Sequence, residues 1–379
     1  MKIAFVSDAA YPWNVGGLET LESTEAQELA KGHEVHFFSL QWPGMPKKDF
    51  KHNGIMYHTL HKITTEKFYR HGRRSIREAL VFSLGLFRIF FYKFDYIEAN
   101  EFPILHIPLL KLYCMLNNCR LILDVHEVWD KGYWNSYLGA ILGFLANLYA
   151  SAALRLADAY IANSSITASG LHSLGIGKDR IMVFSPVIDD AQLSRVRKTK
   201  ESKSVIFSGR LIKEKRLDKW VHTIKAASRL ARGLKGVIIG DGPEKASILE
   251  AIKGAGLGHT IEMRDFYRTE AKLQLYRRIK ESRMLLQMSE REGLSIIVLE
   301  SLALGTPVVL PDYSPIPDEV KKMCVVCSER DMPRMVARIA NSRDKGSFIR
   351  NREMLERFSS SHTNAFYREL FRKLGRGGE

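Results

Sequence analysis

The chain has 379 residues, 45% hydrophobic and 26% charged, so it exceeds the size at which a single core usually stops growing and cannot be dominated by disorder. Its formal charge of +15 calls for an anionic partner: nucleic acid, phospholipid, or a phosphorylated small molecule. Four cysteines are too few for a disulfide scaffold in a chain this long.

Residues 1–8 already read as a strand, with Ile3, Ala4, Phe5 and Val6 apolar, and lack the basic start and cleavage site of a secretory leader. The expected location is therefore cytoplasmic. Strands are expected at 3–7, 34–40, 96–99, 120–125, 159–163 and 181–184, and helices near 18–31, 75–92, 103–116, 137–156 and 165–174. The most apolar stretch, 79–97, carries Arg88, Lys93 and Asp95 and falls short of the roughly 18 apolar residues of a membrane span.

The polar, basic run within 186–203 interrupts this rhythm, which then restarts with strands at 204–208, 235–239, 261–263, 284–287, 306–310 and 324–327. The fold class is α/β: two Rossmann-like parallel-sheet domains, 1–187 and 188–355, followed by helical spacing to the end of the chain. Neither half carries G-x-G-x-x-G or G-x-x-x-x-G-K-[ST], so a dinucleotide oxidoreductase or P-loop enzyme has no fingerprint here. Ligand is expected at the carboxyl ends of the strands, in crevices that can face each other across a cleft. The Cys324-Val-Val-Cys327 pair has no second pair to complete a metal site and reads as part of a buried strand.

The densest segment runs from Ser289 to Val309. A strand gives way to a loop and then to a helix from about Leu294, with Glu292 and Gly293 at its mouth. The free N–H groups of a first helical turn make a site for a diphosphate. Glu300 lies about 10 Å further along the helix, so two carboxylates bracket a ligand that is anionic in the middle and rich in hydroxyls at both ends. Helix-dipole chemistry alone would also account for Glu292, leaving Glu300 simply exposed. The run Ser208-Gly209-Arg210-Leu-Ile-Lys-Glu-Lys215 follows the first strand of the second module. It places two cations, Arg210 and Lys215, where they would neutralise a diphosphate leaving group.

Together these residues resemble the retaining glycosyltransferases of family 4, with the two-Rossmann GT-B architecture. The resemblance spans nearly the whole chain and includes Gly16-Gly-Leu-Glu19, Lys31-Gly-His-Glu-Val35, Asp124-Val-His-Glu127, Ala162-Asn-Ser164, Gly209-Arg-Leu211 with Lys215, Gly240-Asp-Gly-Pro243, Tyr276, and Glu292-x7-Glu300 followed by Gly305-Thr-Pro-Val308. It implies a nucleotide-diphosphate sugar as donor, a glycan, lipid or lipid-linked hydroxyl as acceptor, retention of anomeric configuration, and no metal. Arg210 and Lys215 would hold the diphosphate, with backbone amides of Gly293, Leu294, Ser295 and Ile296. Glu300 would take the ribose, Glu292 the transferred sugar, and His126 the sugar near the reacting centre. Gly16 and Gly17 would bring the N-terminal loop to the phosphates, with Gly209 in the corresponding turn of the second domain. The last helix, 356–379, would cross back onto the first domain.

Three positions depart from the family pattern: Ser185-Pro-Val-Ile-Asp189 replaces an Asn-Gly-Val-Asp run, Asp265 a glycine and Met288 a proline. The first two bear on the choice of nucleotide. His33 and His36 read as structural. The segment 75–92, basic at its start and carrying Phe82, Leu86, Phe87, Phe90 and Phe91, has the composition of a helix lying on an anionic membrane surface, and core packing explains the same residues. Two rivals follow from the same features. A non-catalytic nucleotide-sugar binder would be expected to lose Glu292, His126 or Lys215. A basic nucleic-acid binder would explain the charge but not the carboxylate pair, and the chain lacks the signature of an RNA-reading strand or a helix-turn-helix.

Overall fold

The computed structural model describes residues 1–14, 16–63, 69–70, 73–184, 188, 190–197, 201–265, 272–292 and 294–375. The chain forms two compact units, Met1–Val187 with Ser360–Glu379, and Ile188–Ser359.

In unit 1 the elements run β1 (Lys2–Val6), α1 (Gly17–Leu29), β2 (Glu34–Gln41), β3 (Phe50–His52), β4 (Ile55–Lys62), β5 (Tyr69–Arg70), β6 (Arg73–Arg74), α2 (Ile76–Gly85), β7 (Tyr96–Asn100), α3 (Ile107–Asn117), β8 (Arg120–Val125), α4 (Lys131–Leu138), α5 (Ala140–Leu154), β9 (Ala159–Ala162), α6 (Ser165–Ser173) and β10 (Ile181–Val183). Eight strands form one sheet in the order β10-β9-β8-β7-β1-β2-β4-β3, parallel except where β3 runs antiparallel to β4. Strand side chains alternate between faces. Ala4, Val6, Ile97 and Ala99 enter a core with Phe82, Leu86, Ile107 and Ala150, whereas Tyr96, on the other face, stacks on Phe371 at 4.3 Å.

Several expected boundaries move, each for a local reason. The helix expected at 75–92 is α2 followed by a 3-10 turn over Leu86–Phe91; Phe82 and Leu86 are core residues, and of the five aromatic and aliphatic side chains expected on lipid only Phe87 and Phe91 are exposed. The helix expected at 137–156 is a hairpin of α4 and α5, broken at Gly139 with φ +88°. Gly143 lets α5 approach α4, because a Cβ there would strike the Trp134 backbone. The pair β3 and β4 lay outside the expected strands. His36 and His58 stack and share a 2.7 Å hydrogen bond between β2 and β4, and His58 Nδ1 contacts Asp49 at 2.8 Å.

Unit 2 comprises α7 (Asp190–Ser194), β11 (Ser204–Ser208), α8 (Leu217–Leu230), β12 (Lys235–Ile239), α9 (Lys245–Gly254), β13 (Ile261–Arg264), α10 (Lys272–Glu281), β14 (Met284–Leu286), α11 (Ile296–Ala303), β15 (Val308–Pro311), α12 (Asp318–Lys321), β16 (Val325–Cys327) and α13 (Met332–Asn341). Its six strands are all parallel, in the order β13-β12-β11-β14-β15-β16. Met288, the residue in place of a proline, is fully buried in this core. Burial pushes the thiol of Cys324 up to about 12 and that of Cys327 up to about 11, so both stay protonated at neutral pH.

The helical spacing expected toward the end of the chain resolves into a 3-10 helix at Arg352–Phe358, an extended Ser359, and α14 (Thr363–Lys373). Three consecutive serines, Ser359 to Ser361, interrupt it, and α14 belongs to unit 1, where it packs on α1.

Candidate active site

The strand order of unit 2 reverses between β11 and β14, the first and fourth strands in sequence, and in an open parallel sheet the ligand crevice lies outside the carboxyl ends at such a switch point. The loops leaving those two strands carry the residues singled out above. After β11 come Gly209, Arg210 and, in a 3-10 turn over Lys213–Lys215, Lys215. After β14 come Gln287, Ser289 and Glu292, and then α11.

The first loop is held by the backbone of the next one. Gly209 N donates to Ile239 O at 3.1 Å, Leu211 N to Asp241 O at 2.9 Å, and Glu244 N to Leu211 O at 3.0 Å. Gly240 fits because a Cβ there would run into the carbonyl of Gly209. Arg210, at the tip, is exposed.

The second loop meets the first through side chains. Lys215 Nζ forms an ion pair with the Glu292 carboxylate, both side chains being largely buried. Glu292 Oε1 also accepts from the Gln287 amide and, at 3.4 Å, from Ser289 Oγ. Gln287 extends this network to Ser295 Oγ at 3.0 Å. On the rim, Glu290 pairs with Arg216, and its backbone N donates to Glu214 O at 2.9 Å, which ties the two loops together.

Helix α11 begins at Ile296 rather than Leu294, with Ser295 at its N-cap position. The Ser295 side chain is turned to Gln287 and does not cap the helix; Val298 N donates to Ser295 O at 3.0 Å, and the N–H groups of Ile296 and Ile297 have no side-chain cap. Leu294 and Ile296 are partly buried there, and Gly293 lies outside the described residues. Glu300 is buried at 4% exposure and not, as the dipole reading had it, exposed. Tyr276 Oη donates to its Oε1 at 2.5 Å, and Lys272 Nζ lies 3.2 Å from the same oxygen. Asp265, the residue in place of a glycine, is paired with Lys245 at the start of α9.

Unit 1 has its own reversal between β1 and β7, and acidic groups gather at the strand ends beside it. Glu22 and Glu25 come from α1, Glu98 and Glu101 from β7 and the residue after it, and Asp124 from β8; each is at most 5% exposed. Tyr367 of α14 donates to Glu98 Oε1 at 2.9 Å and reaches Glu25 Oε2 at 3.4 Å. Carboxylate oxygens of Glu25, Glu98 and Asp124 all lie within 4.8 Å of one another, a spacing one cation could use. Burial first, and then mutual repulsion, holds Glu22, Glu25 and Glu98 well above the usual carboxylate range, which favours protons on them. Burial likewise pushes Glu101 up to about 7.

His126 follows β8 and sits above this cluster. Its Nε2 faces Asp124 Oδ2 at 2.9 Å, and its backbone N donates to Glu101 Oε1 at 3.0 Å. Burial alone would lower the imidazole pKa; Asp124, with Glu101 and Glu22, outweighs it and pushes the ring up to about 10. Asn163 acts in the opposite sense. Its Oδ1 accepts from Thr167 and its Nδ2 donates to His126 O at 3.1 Å, so the same amide N–H, 3.3 Å from Nδ1, favours a bare nitrogen there. Gly16 is the N-cap of α1 and Gly17 its first residue; the Glu19 carboxylate folds into the space a Gly16 side chain would fill.

Sequence reasoning singled out Arg210, Lys215, Glu292, Glu300 and His126 and gave no role to the residues that contact them: Gln287, Lys272, Asn163 and the acids below His126. One signal was present. Glu98 interrupts an otherwise apolar central strand, and a charge there demands partners.

Two parallel-sheet α/β domains with polar loops at the carboxyl ends of their strands are the GT-B architecture, and family models of glycosyltransferases match both halves, so the chain belongs to the GT-B glycosyltransferases. The family model described as "Glycosyltransferase Family 4" matches residues 15–192, and "Glycosyl transferases group 1" matches 189–360. Among solved structures, Anabaena Alr3699/HepE in complex with UDP and glucose superposes with a TM-score of 0.71 at 15% identity, over 98% of this chain and 99% of that one. Sucrose-phosphate synthase (tll1590) from Thermosynechococcus elongatus gives 0.71 at 16% identity, over the whole of both chains. WaaG, a glycosyltransferase involved in lipopolysaccharide biosynthesis, gives 0.66 at 12%, over 96% and 95%. At these identities the likeness concerns the fold. No curated protein sequence matches the chain at a significant level.

Proposed function

We propose that the protein moves a sugar from a nucleotide-diphosphate donor to a hydroxyl of a glycan, lipid or lipid-linked acceptor, with retention and without a metal. The observation that carries this reading is the contact of Lys215 with Glu292. In such a donor the sugar is bonded directly to the terminal phosphate, so the cation for the phosphate and the acceptor for sugar hydroxyls must be neighbours. UDP and glucose bound to a protein of the same fold support the choice of donor class.

In this reading Arg210 and Lys215 neutralise the departing diphosphate, the charge stabilisation that a metal supplies in other enzymes. The backbone amides leading into α11, from Leu294, Ser295 and Ile296 with Gly293 before them, receive phosphate oxygens. Glu300, oriented by Tyr276 and Lys272, accepts from the ribose hydroxyls. Glu292 takes hydroxyls of the transferred sugar, and Gln287 and Ser289 hold it in place. In unit 1, Gly16 and Gly17 give the loop after β1 a slim backbone for the phosphates, and His126 contacts the sugar. Retention follows a front-face course. The departing phosphate oxygen takes the acceptor's proton as the new glycosidic bond forms and the bond to phosphate breaks.

Thermal unfolding of the protein against a panel of nucleotide sugars tests the donor class, because a ligand that binds the folded state raises the melting temperature by mass action. A rise with at least one nucleotide sugar, larger than with its nucleoside, is expected. No rise with any of them, alongside a rise with single-stranded or duplex nucleic acid, would replace this reading with a nucleic-acid binder.

A further inference from the structure

In unit 1, α2, the 3-10 turn after it, α3 and α5 pack side by side over one face of the sheet, and their outer surface is apolar. Phe91 is 85% exposed, Ile141 78%, Met115 72%, Leu116 69%, Leu142 61% and Leu145 54%. Single exposed apolar side chains are ordinary; a run of them on adjoining helices marks a binding surface.

Helix α5 shows the inversion most clearly. Its buried positions are Gly143, Ala150, Ala153 and Leu154, three of them small, while its large aliphatic side chains point outward. A helix that only covers a core has the reverse arrangement. None of its 15 residues is charged.

The charges around the patch identify what covers it. Helices α2 to α5 and the turn carry one acid between them, Glu78, and it is 2% exposed. Arg77, Lys93 and Lys131 are exposed, and Lys131 Nζ stands 5.4 Å over the Phe144 ring. Asp130, the nearest exposed acid in sequence, is engaged in capping α4. A second copy of the chain on this face would bring these like charges together, as any two-fold interface repeats the same patch on both sides.

We propose that this face of unit 1 seats the protein on an anionic lipid bilayer, with the aliphatic side chains of α3 and α5 in the acyl boundary and Arg77, Lys93 and Lys131 among the headgroups. With 15 residues, α5 is about 22 Å long against a hydrocarbon core of about 30 Å, so it lies in the plane of the surface. Among the described residues no helix is long and apolar enough to cross a membrane. This surface differs from the single helix at 75–92 expected from sequence. It shares no residue with the proposed donor site, so either proposal can fail alone.

Flotation of the full chain with phosphatidylcholine vesicles, with and without phosphatidylglycerol, tests it. The protein should float with the anionic vesicles and lose binding as salt is raised. Leu142→Ser with Leu145→Ser, and separately Arg77→Glu with Lys131→Glu, should each lower partition about tenfold or more, while folding and the solution hydrolysis of nucleotide sugar stay at wild-type levels. Because all four side chains are exposed, unchanged melting temperatures will show that the variants fold. Absence of flotation, equal binding to pure phosphatidylcholine, or unchanged partition of both variants would overturn the proposal. So would a solution dimer that the serine variant dissolves without any vesicle binding, since the face would then belong to a second copy.

Discussion

Lys215 and Glu292 are 77 residues apart in sequence and form an ion pair between the loops that leave β11 and β14, at the point where the strand order of unit 2 reverses. If Lys215 serves phosphate, its loss should act on charge. Lys215→Ala is expected to weaken nucleoside diphosphate binding about tenfold or more and leave nucleoside binding nearly unchanged, measured by calorimetry. It should also cost about 1–3 kcal/mol of stability, because Glu292 is left largely buried beside only neutral partners. Equal losses for both ligands would contradict the assignment.

Tyr276 donates to Glu300, the carboxylate proposed for the ribose. Tyr276→Phe should therefore weaken nucleoside diphosphate by about three- to tenfold, the worth of one charge-assisted hydrogen bond at its lower end, and leave pyrophosphate affinity unchanged. A matching loss for pyrophosphate would show that the substitution disturbs α11 as a whole.

Gly240 carries no functional group, yet the donor site depends on it. In Gly240→Ala the new Cβ meets the Gly209 carbonyl, a backbone atom that cannot swing aside, so the loop bearing Arg210 must shift. A destabilisation of about 1–3 kcal/mol and a clear fall in nucleoside diphosphate affinity are expected, read by denaturant unfolding and calorimetry. Wild-type values for both would mean that this loop does not set the site.

The acidic cluster gives unit 1 a pH dependence of definite sign. Glu101 holds its proton up to about pH 7 in the folded protein, against an ordinary 4.5, and His126 holds its proton up to about 10, against 6.5. Each group binds a proton more tightly when folded. The stability from Glu101 is complete below its unfolded pKa and lost as pH rises through about 7; that from His126 is lost as pH rises through about 10. Glu22, Glu25 and Glu98 are shifted in the same direction. The melting temperature should fall between about pH 6 and about pH 9, and Glu98→Gln, which keeps the shape without needing a proton, should flatten that fall and melt about 2 °C or more above wild type at the alkaline end. Parallel curves for the two proteins would place the cause outside this cluster.

Much of this arrangement was legible in the chain because it is written locally. The alternation of short apolar runs with longer amphipathic ones fixed both parallel sheets, and the order of Gly209, Arg210, Lys215, Glu292 and Glu300 pointed to one crevice. What was not legible depends on contacts distant in sequence or on single backbone positions. Gly139 turns one apolar run into a hairpin through its positive φ, and a run of that composition also suits an unbroken helix. Phe82 and Phe91 have the same chemistry, and only packing decides that the first is core and the second exposed. Asp124 lies two residues before His126, but the other partners of that histidine, Glu101 and Asn163, come from places that no local spacing joins to it.

The central claim is that Glu292 and Lys215 act together on one nucleotide-sugar molecule. Release of nucleoside diphosphate from the best-binding nucleotide sugar, followed without acceptor in wild type, Glu292→Gln and Lys215→Ala, tests it most directly. Slow release by wild type that falls about a hundredfold or more in both variants is the predicted result, in the range expected when an electrostatic contact to a transition state is removed. Release that continues at the wild-type rate in either variant, or a wild-type protein that releases none from any nucleotide sugar, would contradict it.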